Sequence, residues 1–290
     1  MSAARPRRID VHHHVIPPDY ALLLPEKGIR PGGIPLPRWT AHAAGRIMAR
    51  NGPATAILSV STPGVWFGDV PEARRWARRV NTYAAQLVSD NPAGFGFFAT
   101  LTLPDIDGPI AEAEYALDVL HADGIVLLAN NAGMYPGDPA FDRLFAFLHE
   151  RRALVFVHPS ELPGGPADGI PSFTADFLLD TTRSAISLIL SRALEKYDGV
   201  RFILAHAGGF VSYIAHRILL TTLRDEPKLK LAALALNRER EVARRWSCSS
   251  ASGSTSPSPR RRPPSRRCSL SRTRPRSTSA PTSRSRPRRR

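Results

Sequence analysis

The feature that most limits what this chain can fold into is a change of composition at Trp246. The 44 residues after it, 247–290, hold 13 Arg, 14 Ser, 7 Pro and 4 Thr, no acidic residue, and Leu270 as their one large aliphatic. Such a stretch cannot bury enough apolar surface to offset the entropy of ordering it. Any core must therefore come from residues 1–246, which read as one domain followed by a disordered basic tail. The formal charge of +15 also lies mostly in the tail; the body carries 27 Lys+Arg against 25 Asp+Glu. A sequence pI near 11 ordinarily points to a nucleic-acid partner, but here it reports on the tail and not on the body's surface.

A body of this length supports one large core or two small ones. Both cysteines, Cys248 and Cys268, lie in the tail. The body therefore needs no disulfide, and a cytoplasmic location is expected. Residues 1–8 are basic, but no apolar stretch of signal-peptide length follows them. No run of about 18 apolar residues occurs, so no membrane span is expected.

Within the body, short apolar runs alternate with amphipathic ones. Strands are expected at 8–11, 55–60, 94–101, 124–128, 154–157 and 200–205. Their nearly continuous apolar character is that of strands buried on both faces, as in a parallel sheet covered by helices. Helices are expected at 71–90, with Trp76, Val80, Tyr83 and Leu87 as the apolar stripe, and at 110–121. A third runs from the Asp138-Pro139 cap to about 152, burying Phe141, Leu144, Phe145 and Leu148. Two more are expected at 180–197, starting at a capping Asp180, and at 210–223. Gly/Pro-rich loops are expected at 28–37 and 163–171. This α/β alternation fits either a doubly wound sheet or a (β/α)8 TIM barrel. No GxGxxG or GxxxxGK[ST] follows the first strand, which argues against the nucleotide-binding open sheets.

The first strand runs into Asp10-Val11-His12-His13-His14. Side chains alternate along an extended segment, so His12 and His14 share a face and His13 takes the other. Two imidazoles placed this way can share a metal ion; the other reading is a solvated polar strand end. His158 closes the fifth strand and His206 the sixth. Either alone is more simply a structural histidine. Together they put four histidines just past the C-terminal ends of three strands, where barrel enzymes build their sites. Three neutral imidazoles would hold Zn²⁺ and leave a position open for water or substrate. His42, His121, His149 and His216 fall within helical segments and read as surface or structural. Trp66 and Phe67, after the second strand, are candidates for the wall of a substrate pocket or for ordinary loop packing. Arg46 and Arg50, on a helix before that strand, are candidates for a substrate carboxylate or for a solvated face.

The ordered segments IDVHHHVIPPDY, STPGVWFGD, FVHPS and ILAHAGG resemble the amidohydrolase-related metal-dependent enzymes, in particular the α-amino-β-carboxymuconate-ε-semialdehyde decarboxylase branch. The resemblance runs from Arg8 to about Trp246. It implies a (β/α)8 barrel with one divalent metal, Zn²⁺ by preference. His12, His14 and His158 match the family's metal ligands, and His206 its proton-transfer histidine. It implies non-oxidative decarboxylation of an aromatic or muconate-like carboxylic acid, with metal-dependent hydrolysis of an amide or lactone as the alternative. Homodimers are common in that branch. The family also places an aspartate at the end of strand eight, in a motif like G-[TS]-D-[FY]-P. No such motif occurs here, and strands seven and eight are not recognisable. A chain truncated after about six strands is expected to hold metal weakly, dissolve poorly and turn over slowly.

The tail has a reading that accounts for this. Let each true codon be the last base of one present codon plus the first two of the next. Ser-Ala-Pro-Thr-Ser-Arg-Ser, at 279–285, then admits Phe-Gly-Thr-Asp-Phe-Pro-Phe, with the aspartate at the slot of Thr282. The tail is then the family's own C-terminal region read out of frame. The reading from a different class is a genuine Arg/Ser extension acting as a nucleic-acid-binding segment, non-specific and strongly salt-dependent.

Overall fold

The computed structural model describes residues 8–223. Residues 224–290 lie outside them, and with them the predicted boundary at Trp246, the basic tail and the region of any seventh or eighth strand.

The elements alternate along the chain. They are β1 (Arg8–His14), α1 (Pro18–Glu26), α2 (Ala41–Asn51), β2 (Pro53–Ser59), α3 (Val70–Asp90), β3 (Phe95–Thr100), α4 (Gly108–Asp118) and β4 (Gly124–Leu128). There follow α5 (Asp142–Glu150), β5 (Leu154–His158), α6 (Asp176–Leu190), α7 (Ala193–Lys196), β6 (Arg201–Leu204) and α8 (Val211–Thr222). No helix among the described residues is long and apolar enough to cross a membrane.

The six strands are all parallel and pair in sequence order, β1 to β6. In a flat sheet, β1 and β5 would lie four strand spacings apart, about 19 Å. Instead the rings of His12 on β1 and Phe156 on β5 have centroids 5.3 Å apart. The sheet has curled on itself, which settles the choice left open by the sequence in favour of a partial TIM barrel.

Alternation along the strands builds two apolar layers. On β5, Val155 and Val157 face outward into the large core shared with the helices, among Leu144, Leu148 and Leu188. Phe156, between them, faces the barrel axis with Ile57, Phe98, Val126 and Ala205. The outer layer is why the helices form where they do. Asp69 caps α3 by accepting from the Glu72 N–H, and Val80 of the predicted stripe is buried while Trp76, Tyr83 and Leu87 pack half-buried against the core. Asp138 accepts from the Ala140 N–H and starts the segment that buries Phe141, Leu144, Phe145 and Leu148.

The 28–37 segment is a loop, with one 3-10 turn at Pro31–Gly33. One sequence expectation needs correction. The helix expected to start at a capping Asp180 starts at Asp176, and it breaks at Arg192, whose backbone is left-handed (φ 60°). Asp180 lies inside α6 and is fully buried. Its carboxylate is taken up by neighbouring loops, not by the backbone of its own helix.

Candidate metal centre

The site is assembled at the C-terminal ends of β1, β5 and β6. On β1 the pairing slips: Asp10 opposes Ala56 and His13 opposes Leu58, so the step takes three residues on β1 and two on β2. A bulge of this kind re-aims side chains next to sites. Asp10 secures it, accepting from the His12 N–H (3.1 Å) and contacting His13 Nδ1 (3.1 Å). The hydrogen bond with His13 holds the Asp10 pKa below its usual value. His13 is thus occupied by Asp10, while the His12 and His14 rings meet edge to face with centroids 4.9 Å apart.

His158, the last residue of β5, is 3 % exposed. Its Nδ1 lies 2.8 Å from the carbonyl oxygen of Pro159. A carbonyl only accepts, so Nδ1 carries the proton and Nε2 keeps a free lone pair.

His206 follows β6 on a left-handed turn. His206 (φ 51°) and Ala207 (φ 54°) adopt a conformation that costs non-glycine residues of the order of 1 kcal/mol each. The turn ends at Gly209, where a Cβ would stand 2.2 Å from the Leu178 carbonyl oxygen, so that only glycine lets it pack on α6. The Phe210 N–H then donates to Thr182 Oγ1 (2.8 Å), and Phe177 stacks on the His206 ring, with centroids 6.4 Å apart.

These local choices bring four imidazoles together. Ring centroids lie 5.1 Å apart for His12–His158, 4.7 Å for His14–His158, 5.2 Å for His12–His206 and 5.9 Å for His158–His206. Nitrogen atoms of His12, His158 and His206 all fall within 4.8 Å of one another. His14 adjoins this trio, and its Nδ1 is buried without a hydrogen-bond partner. Burial, with help from the neighbouring histidines, pushes the pKa of His12 down to about 4 and that of His14 to about 3. Burial likewise holds His158 well below its usual value and lowers His206. All four are neutral at pH 7, the form in which imidazole binds a metal. An orphaned buried nitrogen costs about 1–3 kcal/mol, a cost that a cation bound among these donors would remove. The donor set fits a divalent ion of borderline softness.

The remaining sequence candidates separate. Trp66 helps to line a small cavity of about 20 Å³ between the ends of β2, β3 and β4, with Val60, Thr100, Leu101 and Leu128. Phe67 packs against the core under the Lys27 ammonium, 5.0 Å from the ring centroid. Arg46 is exposed on α2, as is Arg50. Sequence reasoning missed the polar layer behind the histidines, made of Asp180, Asn130 and Glu161. Asp180 accepts from Ser160 N–H, Asn130 Nδ2 and Tyr135 OH. Glu161 accepts from Gly32 N–H and Ser172 Oγ. An acid directly after the apolar Phe177-Leu178-Leu179 was the available signal, because a buried carboxylate has to be met by donors.

A family model described as Amidohydrolase matches residues 9–267. The decarboxylase yanB of Aspergillus niger is 39 % identical over 223 residues, covering 72 % of this chain and 61 % of that protein. The 6-methylsalicylic acid decarboxylase acuB of Aspergillus aculeatus is 38 % identical over 220 residues, covering 72 % of this chain and 66 % of that protein. The chain thus spans a little under two thirds of the length of these relatives. A solved amidohydrolase II structure superposes with a TM-score of 0.71 at 31 % identity, covering 75 % of this chain and 72 % of that one.

Proposed function

The chain belongs to the amidohydrolase family, and from that premise we propose that it is a metal-dependent non-oxidative decarboxylase of an aromatic, salicylate-type carboxylic acid, with muconate-like acids as the wider substrate class. The observation that carries the reading is the convergence of His12, His14, His158 and His206 at the barrel mouth. The relatives at 38–39 % identity, named as decarboxylases, support the choice of reaction.

In this reading His12, His14 and His158 would hold a divalent ion, Zn²⁺ by preference. When bound, the ion would supply Lewis-acid stabilisation of negative charge on the substrate. His206 sits at the rim beside it and is neutral at pH 7, so an imidazole nitrogen can accept a proton and return it. Decarboxylation breaks the bond from ring to carboxylate. CO₂ leaves, the ring carbon keeps the electron pair, and His206 delivers to that carbon the proton it has taken from the substrate's hydroxyl group. Trp66, after the second strand, would wall the substrate's aromatic ring. The absence of cysteine from residues 1–246 agrees with a cytoplasmic location.

The test is product analysis. The Zn²⁺- or Mn²⁺-loaded chain is supplied with salicylate-type acids, and CO₂ and the decarboxylated phenol are measured. Hydrolysis of an amide or lactone with no CO₂ release would replace this reading by the hydrolase one. Nucleic-acid binding that survives deletion of 247–290 would remove the tail from the account of any such binding.

We also infer that 247–290 is the family's last segment read out of frame. Among the described residues, β1 and β6 each have a strand on one side only. The shifted frame supplies the aspartate motif at 279–285. Sequencing the gene tests this, since bases around Thr282 that cannot spell Asp in the shifted frame would end it.

A further inference from the structure

The peptide group joining Pro159 to Ser160 has both of its polar ends engaged. Its carbonyl oxygen lies 2.8 Å from His158 Nδ1. Its N–H donates to Asp180 Oδ2 at 2.9 Å. One planar amide therefore stands between a buried carboxylate and an imidazole of the metal centre. The other carboxylate oxygen, Oδ1, accepts from Asn130 Nδ2 (2.9 Å) and from Tyr135 OH (3.0 Å). The Asn130 side chain cannot be turned round, because its Oδ1 accepts from the Gly133 N–H (3.1 Å). The Ser160 and Asn130 N–H groups both demand acceptor oxygens of Asp180, and these contacts work against the burial that pushes its pKa up. Asp180 is fully buried on α6 and touches none of the four histidines, so the proposed reaction gives it no part.

A hydrogen bond accepted by a carboxylate polarises the amide that donates it, and the carbonyl at the other end becomes a stronger acceptor. Metal-ligating histidines commonly pass their second N–H to a carboxylate or a backbone carbonyl, which fixes tautomer and ring orientation and raises ligand basicity. Here both partners are present in series.

Resting on the metal-centre reading above, we propose that Asp180 is a positioning residue that acts through the 159–160 peptide to hold His158 as the Nδ1–H tautomer, leaving Nε2 free for a divalent cation. It works on the ligand at one remove and does not meet substrate.

The test uses the full chain, metal-free, with ¹⁵N-labelled histidine. NMR reports which ring nitrogen of His158 is protonated, with a His158→Gln sample for assignment. Zinc affinity is then measured by competition with a chromophoric chelator. Wild type is expected to show Nδ1–H. In Asp180→Asn the resonance should move towards the other tautomer or a mixture, with zinc bound about 10–100-fold more weakly. Ser160→Pro, which deletes the N–H and spares the carboxylate, should do the same and serves if the first variant fails to fold. Glu112→Gln removes a comparably buried acid that meets Arg78 and Asn81 instead; it should lower stability and leave tautomer and zinc affinity unchanged. An unchanged tautomer in both relay variants, or an equal change in Glu112→Gln, overturns the proposal. A tautomer shift in a chain that binds no zinc would leave the relay standing and count against the metal reading alone.

Discussion

His12 and His206 stand with ring centroids 5.2 Å apart, although one leaves the first strand and the other follows the sixth. Only a curled sheet can bring the two outermost of its described strands to one place. The contact is therefore a measure of barrel closure as well as part of the site, and the first prediction concerns it.

Removing a first-strand or fifth-strand imidazole should empty the site. His12→Ala and His158→Ala are each expected to lose zinc affinity by more than the roughly 10–100-fold typical of outer hydrogen-bond partners. Elemental analysis after gel filtration reads this directly. Either variant retaining stoichiometric zinc would remove that residue from the ligand set.

His206→Ala should separate proton transfer from metal binding. Metal content is expected to stay near that of wild type, while turnover of a salicylate-type acid falls by about 10²–10⁴-fold, the usual contribution of a placed acid–base group. A loss of metal equal to that in His158→Ala would make His206 a ligand instead, as its place among the closest nitrogens also allows.

The outer core should dominate stability. Leu148 on α5 is fully buried, and Leu148→Ala is expected to cost about 2–5 kcal/mol through lost burial and the cavity left behind. Leu22 is 68 % exposed on α1, and Leu22→Ala should fall within about 0.5 kcal/mol of wild type. Urea midpoints of the two variants test the contrast.

Asp105 should mark the acid limit. It accepts from Arg74 (2.7 Å), Thr102 Oγ1 (3.2 Å) and the Gly108 N–H (3.1 Å) while almost fully buried. Burial pushes its pKa up, but the Arg74 guanidinium and the backbone N–H groups outweigh that and leave it below the ordinary 3.8. The unfolded chain therefore takes up this proton first as the pH falls. The stabilisation is complete above the ordinary carboxylate value and is lost as pH drops through the lowered one. Asp105→Asn should cost about 1–3 kcal/mol at pH 7, and its gap from wild type in urea midpoint should narrow below pH 3.8. A gap independent of pH would refute the assignment.

Much of this was legible in the sequence, and for identifiable reasons. Runs such as LVFVH and GIVLL carry their own strand signal, because side-chain alternation and burial on two faces are local consequences of composition. The cap at Asp138 announces a helix start for the same reason, and all four histidines could be named because they stand at or just past the ends of three of those strands. Asp180 was misread as a cap because its partners, Ser160 and Asn130, lie 20 and 50 residues away. For Arg46 a solvated face is the simpler reading, while Trp66 stands evenly between pocket wall and loop packing; the fold leaves Arg46 exposed on α2 and sets Trp66 beside a small cavity.

The sequence by itself thus determined the elements, their order and which side chains stand at the strand ends, because those follow from short-range periodicity and turn chemistry. Tertiary structure alone decided that the sheet curls, that imidazoles from its first and sixth strands meet, and that a buried aspartate reaches one of them through a peptide bond. Those outcomes depend on distances between residues remote in the chain, which no local pattern encodes.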